Sequence, residues 1–369
     1  MKIEKIELFN YRNYGTETIK FFDGLNIVYG KNAQGKTNML EAILYCCIGK
    51  SLRVNKDNQV IGFDKSNAKI KLTVQKKYEK TIIEIFFPRE GKKTIKINGL
   101  PIKKIGELMG EFNAVFFSPD ELKLIKETPE DRRRFMDIHI SQTSKKYFYL
   151  LSRYDKILSN RNKLLKSGQS VQTINETLSI WNAQLSQTGS EIIYYRLQFI
   201  NKLTPLCEKV HSYLSGGSEK IKIDYMGEQG SQKEIEQKLL NTLKSNFEKE
   251  LKLGYTTVGP HRDDIKILVN NIDVRTYGSQ GQQRTSALAL KLAEIEIINL
   301  EKNETPVLLL DDVLSELDSA RRKKLLKFSS KTQTILTTVE ELSETEKQNA
   351  SLIMVESGKT KLVKEAKHV

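Results

Sequence analysis

The stretch Leu25 to Tyr45, LNIVYGKNAQGKTNMLEAILY, constrains this chain more than any other. Gly30, Gly35, Lys36 and Thr37 fit the spacing G-x-x-x-x-G-K-[ST]. An apolar run (Leu25, Ile27, Val28) precedes them and a helical pattern (Leu40, Ile43, Leu44) follows, which is the strand-loop-helix context a phosphate loop requires. In such a loop the backbone N–H groups of Gly30, Lys31, Asn32, Ala33, Gln34, Gly35, Lys36, Thr37 and Asn38 converge with the helix N-terminus on one spot, suited to a triphosphate. Lys36 is expected at the β/γ-phosphates and the Thr37 hydroxyl on Mg²⁺. The chain has no N-K-x-D guanine motif, so ATP is the expected nucleotide and a GTPase is disfavoured.

A buried strand, Val307 to Leu310, runs into Asp311 and Asp312. Asp311 lies where a carboxylate can hold Mg²⁺, directly or through water, and Asp312 is the candidate to orient or deprotonate the attacking water. Upstream, Tyr277 to Thr285 is a Gly-rich loop feeding a long helix, expected over Ala287 to Leu300. Ser279, Gly281 and Gln283 there combine a hydroxyl, bare backbone N–H groups and a positive helix end. One phosphate loop already surrounds most of a nucleotide. If the second loop also binds a γ-phosphate, that nucleotide belongs to another copy of the chain, which predicts a homodimer closed by two ATP molecules and strengthened by ATP through mass action.

Around these motifs, residues 2 to 29 read as two or three strands, and 58 to 104 as an antiparallel meander with Lys on its wet face. Ala114 to Phe117 reads as a short buried strand. From Asp120 to about Ser215 the period is helical, with Phe135, Ile138 and Ile140, then Leu178, Trp181, Leu185 and Ile192. An insertion this short excludes a long coiled coil. Strand patterns return at 220 to 225, at 254 to 274 and at Thr334 to Thr338, and the polar tail after Gly358 is expected to fray. The fold class is therefore α/β.

Sixty Lys and Arg against 46 Asp and Glu leave a net charge of +14 in 369 residues, which favours a polyanionic partner. Lys50, Arg53, Lys92, Lys93, Lys103, Lys104 and the Arg132 cluster are candidate DNA phosphate contacts; a solvated basic face is the alternative. Nothing resembles a base-reading module, so shape and backbone are what would be read. Cys46, Cys47 and Cys207 have neither disulfide nor zinc spacing. No signal peptide or membrane-length apolar run is present, so a cytoplasmic protein with no membrane partner is expected.

GKNAQGKT, SQGQQ and LLLDDVLSELD, in this order, resemble the ATP-binding-cassette heads of the SMC class. Within that class NYRNYG, FSPDELKLIKETPEDRRRFMD, TTVGPHRDD and YGSQGQQR resemble the RecF family of recombination mediators, sparsest between about 145 and 250. The resemblance implies an ABC-type ATPase head with a mixed sheet, here 1–119 with 218–369, and a helical second lobe, here 120–217. It also implies ATP-dependent dimerisation, binding of duplex and gapped DNA, slow hydrolysis, and partnership with RecR, and RecO, in loading recombinase. By the same resemblance Lys36 and Thr37 serve phosphate and Mg²⁺, and Ser279, Gly281 and Gln283 form a signature loop acting in trans. Asp311 and Asp312 close the site, and Ser315 to Asp318 match a loop that crosses the dimer interface. Arg12, with Tyr11 and Tyr14, would flank the base, unless these are ordinary strand residues.

Two departures bear on rate. The second acid is Asp312 where most cassette ATPases have Glu, and the strand before Thr337 and Thr338 leads to no switch His. A carboxylate one methylene short sits differently against water, which predicts a slow, switch-like enzyme. His261 is a candidate substitute, against the alternative of a structural histidine. The basic charge and the insertion stand against a transporter subunit; a DNA-binding scaffold with a vestigial pocket is the non-enzymatic rival.

Overall fold

The computed structural model describes residues 1–366 other than 341, 344, 345 and 348. At the N-terminus, Ile3, Ile6 and Leu8 fill the inner face of β1 (Lys2–Tyr11), with a register shift between Ile3 and Lys5 accounting for their uneven spacing. A tight turn leads to β2 (Tyr14–Lys20), then β3 (Leu25–Tyr29), the phosphate loop and α1 (Lys36–Ile48). Four strands follow: β4 (Asn67–Gln75), β5 (Lys80–Pro88), β6 (Thr94–Ile97) and β7 (Leu100–Pro101). With β1 and β2 they form an antiparallel sheet of order β2-β1-β4-β5-β6-β7. Its outer face carries Lys69 and Lys71 against Glu84, 3.5 and 3.4 Å away.

After β8 (Ala114–Phe117) come α2 (Lys123–Lys126), α3 (Pro129–Thr143), α4 (Lys145–Leu165) and the 45-residue α5 (Val171–Ser215), which contains Pro205. β9 (Ile221–Met226), α6 (Gln232–Ser245), α7 (Phe247–Leu253), β10 (Asp264–Val269), β11 (Ile272–Asp273) and α8 (Val274–Tyr277) follow. The chain then runs through α9 (Gln280–Lys302), β12 (Val307–Asp311), α10 (Ser319–Ser329), β13 (Thr334–Thr338), β14 (Ala350–Glu356) and β15 (Lys359–Lys364).

Two compact units emerge. The first takes residues 1–122, 206–220 and 279–369 and holds the antiparallel sheet and a second one, of order β15-β14-β3-β13-β12-β8. Apart from β15 this second sheet is parallel, and its β12 is an apolar run buried on both faces, Val307 to Leu310. α1 contacts strands of both sheets. Its buried set wraps the whole helix, from Met39 to Ile48, which is what a helix enclosed on all sides requires. Cys46 and Cys47 are free, buried members of that core. The mixed sheet and the absence of a long coiled coil among the described residues are those of an ABC-type head.

The second unit takes residues 123–205 and 221–278. It differs from a helical lobe over 120–217 by including the antiparallel sheet β11-β10-β9, with β10 against α3. Buried charges clamp its 254–264 segment. Arg161 pairs with Glu250 at 2.7 Å and donates to Asn182 and Thr256, while Arg196 pairs with Asp137 and donates to the Pro260 carbonyl at 2.6 Å. At this depth, removing one partner would leave the other's charge uncompensated.

Local expectations need three corrections. Residues 254–263 form a clamped loop rather than a strand, because their backbone groups bond to Asn162 and Glu250 side chains instead of a ladder. The tail after Gly358 is ordered as β15: Ser357 and Gly358, with φ of 49° and 71°, make a tight hairpin from β14. Only its last residues, 367–369, lie outside the described part. Finally, α9 starts at Gln280, seven residues before the apolar pattern does.

Candidate nucleotide-binding site

In the second sheet β3, β13 and β12 are adjacent and parallel, so their carboxyl ends open at one place, where open α/β sheets bind ligands. The end of β3 is the phosphate loop. Gly30 has φ of +155°, and a Cβ there would stand 2.2 Å from the Val355 carbonyl oxygen; Gly35, at φ +121°, would meet Asn13 and Tyr14 at 2.8 to 3.0 Å. The loop thus needs glycine at both positions. Surrounding groups hold it from outside: the Tyr14 hydroxyl donates to the Gly35 carbonyl (3.0 Å), Asn13 to the Gln34 carbonyl (2.7 Å), and the Ser357 N–H to the Gln34 side chain (2.6 Å). Asn38 donates to Asn13 at 2.9 Å.

Among the described residues no side chain caps α1, which leaves its first N–H groups without a side-chain acceptor. The Lys36 ammonium donates to the carbonyls of Gly30 (2.7 Å) and Lys31 (2.8 Å). Burial holds its pKa below the usual value, against the opposing pull of Asp312 and Asp311. Asp311 Oδ1 accepts from the hydroxyls of Thr37 (3.1 Å) and Thr337 (2.6 Å). One hydroxyl from the first turn of α1 and one carboxylate from the end of β12 are the hard-oxygen donors that suit Mg²⁺ when phosphate and water complete its shell. Asp312 has φ of +51°, and its Oδ1 is buried with no hydrogen-bond partner among the described residues, although the carboxylate takes a backbone hydrogen bond from Val339. Burial first, then the neighbouring Asp311, pushes its carboxyl pKa up, with Lys36 opposing. A carboxylate in this state is suited to taking a proton.

A second group forms at the start of α9 and the segment after β12. Ser279 caps α9, its Oγ accepting from the Gln282 N–H (3.2 Å) while Gln282 Oε1 accepts from the Ser279 N–H (2.9 Å). Gln282 Nε2 also donates to Glu219 at 2.9 Å. Gly281 leaves open space, with Arg321 and Ser279 Oγ the nearest atoms to a built Cβ, at 3.9 Å. Gln283 is buried in the first turn. Asp318 caps α10 and pairs with Arg321, and Arg284 pairs with Glu316. The Ser315 hydroxyl donates to the Asp312 carbonyl at 2.7 Å, tying this segment to the first group.

Other candidates are engaged elsewhere. Arg12 forms a two-pronged pair with Glu41 of α1 (2.8 and 3.0 Å) and donates to the Gln59 carbonyl; Tyr11 and Tyr14 are buried. His261 bonds Tyr154 (2.7 Å) and the Thr256 carbonyl (3.2 Å), and burial lowers its pKa to about 4, which keeps it a neutral, structural ring. Arg132 is 2% exposed and fixed to Asp264 (2.6 and 2.9 Å), so it is withdrawn as a DNA contact. Lys93 is also committed, donating to Tyr45 and the Gly49 carbonyl at 2.8 Å and to Asp57 at 3.0 Å. Lys92, Lys103 and Lys104 line, with Lys56, a cleft of about 680 Å³ whose only acid is Asp57. Lys50 and Arg53 are exposed. Three partners escaped the sequence reading: Thr337, Glu41 and Glu219. None of the three carries a local signal: Thr337 is one of three buried threonines in the strand Thr-Ile-Leu-Thr-Thr.

Residues 2–361 match the RecF/RecN/SMC N terminal domain family. A DNA replication and repair protein RecF of Alkaliphilus oremlandii is 43% identical over 365 residues, covering 97% of this chain and 99% of that protein. Among solved structures, the recombination mediator protein described as RecF-ATPrS in the RecFOR pathway is 38% identical, covers 98% of each chain and has a TM-score of 0.90. The one described as RecF-ATP is 37% identical, covers 98% of this chain and 97% of the other, and has a TM-score of 0.89. Among the described residues no helix is long and apolar enough to cross a membrane.

Proposed function

The chain belongs to the RecF family of DNA replication and repair proteins, and from that premise we propose that it is an ATP-operated switch that closes as a homodimer on duplex DNA beside single-strand gaps. The observation that carries this reading is the convergence of Lys36 and Thr37, which follow β3, with Asp311 and Asp312 at the end of β12, beside an uncapped helix start. In this reading the loop N–H groups and Lys36 bind the phosphates. Thr37 and Asp311 would hold Mg²⁺, which when bound neutralises phosphate charge. Asp312 orients the attacking water and accepts its proton at the unpaired Oδ1. Its short side chain makes turnover slow, so hydrolysis serves as release rather than as work. Ser279, Gly281, Gln283 and Asp318 complete the pocket of the partner copy.

Exposed Lys50, Arg53, Lys92, Lys103 and Lys104 supply sequence-independent contacts to DNA phosphates. RecR, acting with RecO, is the partner in loading recombinase, and the protein works in the cytoplasm. Lys36→Ala tests the reading. Both ATP affinity and ATP-dependent retention on gapped DNA are expected to collapse. A variant that keeps both marks the pocket as vestigial and the protein as a DNA-binding scaffold.

A further inference from the structure

We propose that Thr337 is the positioning residue that sets the metal-binding carboxylate Asp311 and the base Asp312 as one unit, an inference that rests on the nucleotide-site reading above. Thr337 is fully buried next to the apolar Ile335 and Leu336 of β13. Valine has almost the same shape and would fill such a parallel strand equally well. A hydroxyl placed there costs stability unless it is hydrogen-bonded, and this one is bonded twice.

Thr337 Oγ1 donates to Asp311 Oδ1 at 2.6 Å and accepts from the Asp312 N–H at 3.1 Å. The Asp312 N–H is shared with the Thr337 carbonyl, also at 3.1 Å. One oxygen therefore touches the side chain of the first acid and the backbone of the second. The second acid needs such a hold, because φ of +51° is an uncommon conformation for a non-glycine residue and persists only when its surroundings enforce it. Thr37 is the other hydroxyl on Asp311 Oδ1. Once Thr37 turns to a metal ion, Thr337 is the hydroxyl left to fix the Asp311 rotamer. Ligand-orienting groups of this kind contribute to metal affinity without touching the metal.

The test uses the full chain as wild type, Thr337→Val and Thr337→Ser. ATP affinity is measured in EDTA and across a Mg²⁺ titration, and bound metal is read directly by Mn²⁺ paramagnetic resonance with ATP present. Thr337→Val is expected to raise the metal concentration at half-saturation by about 10- to 100-fold, in the range seen for lost ligand-orienting groups. ATP affinity in EDTA stays at the wild-type value, and Thr337→Ser restores metal binding. If Thr337→Val does not fold, Thr337→Ala carries the same expectation. An unchanged metal titration in the Val variant overturns the inference, as does a Ser variant as weak as Val. A wild type that binds no Mg·ATP overturns the site reading itself, which separates the two failures.

Discussion

The starts of α1 and α9 both place glycine and a hydroxyl residue at a helix N-terminus, yet their hydrogen bonding is opposite. At α1, among the described residues, no side chain caps the helix, Gly30 and Gly35 hold positive-φ conformations that glycine adopts readily, and Lys36 donates to its own loop's carbonyls. At α9, Ser279 and Gln282 cap each other, and Gln282 reaches Glu219. The first end has orphan donors that an anion would satisfy; the second is largely satisfied on its own. A helix end of the first kind binds phosphate by itself. In the proposed dimer, one of the second kind would add to a phosphate already held by the other copy.

The sharpest way to break that comparison is at the acid beside the first helix start. Asp312→Asn is expected to lower turnover by about 10²- to 10⁴-fold, the usual worth of a general base, with ATP affinity unchanged. An unchanged rate removes Asp312 from the mechanism. Asp312→Glu, with the longer carboxylate, is expected to turn over faster than wild type. Substitution at the second start separates assembly from binding. Ser279→Arg removes the hydroxyl and puts bulk where a partner's phosphate would sit, so the ATP-driven dimer is expected to weaken by roughly 100-fold while a single chain binds ATP as before. A Ser279→Arg protein that dimerises normally would mean α9 has no role in trans.

The smallest effect lies outside both helix starts. Replacing Lys92 and Lys103 together with Gln is expected to reduce the salt dependence of DNA binding by about two in log-log slope, one per lost phosphate contact. The same change should leave ATP affinity alone. An unaltered slope would place the DNA elsewhere.

The first helix start was legible in the sequence because four residues in a fixed local order define it, and Asp311 and Asp312 because an apolar strand runs straight into them. The mutual support of these parts was not legible. Thr37, Asp311 and Thr337 meet only because β13 inserts between β3 and β12, a pairing across some 300 residues that no local pattern reports. Arg12 illustrates the same limit: its strand position is readable, its Glu41 partner on α1 is not. In the second unit, Thr256, Thr257 and Val258 carry strand propensity, but Gly259 at φ +121° and the buried Arg161 and Arg196 bonds impose a loop. α6 does carry a local mark, the capping box of Ser231 and Glu234.

Shared occupancy of one nucleotide by two chains is most directly tested by sedimentation of the wild-type protein with and without saturating Mg·ATP. The account predicts a shift from single chains to dimers that reverses when ATP is withdrawn. A protein that stays single while ATP fills its phosphate loop would contradict it.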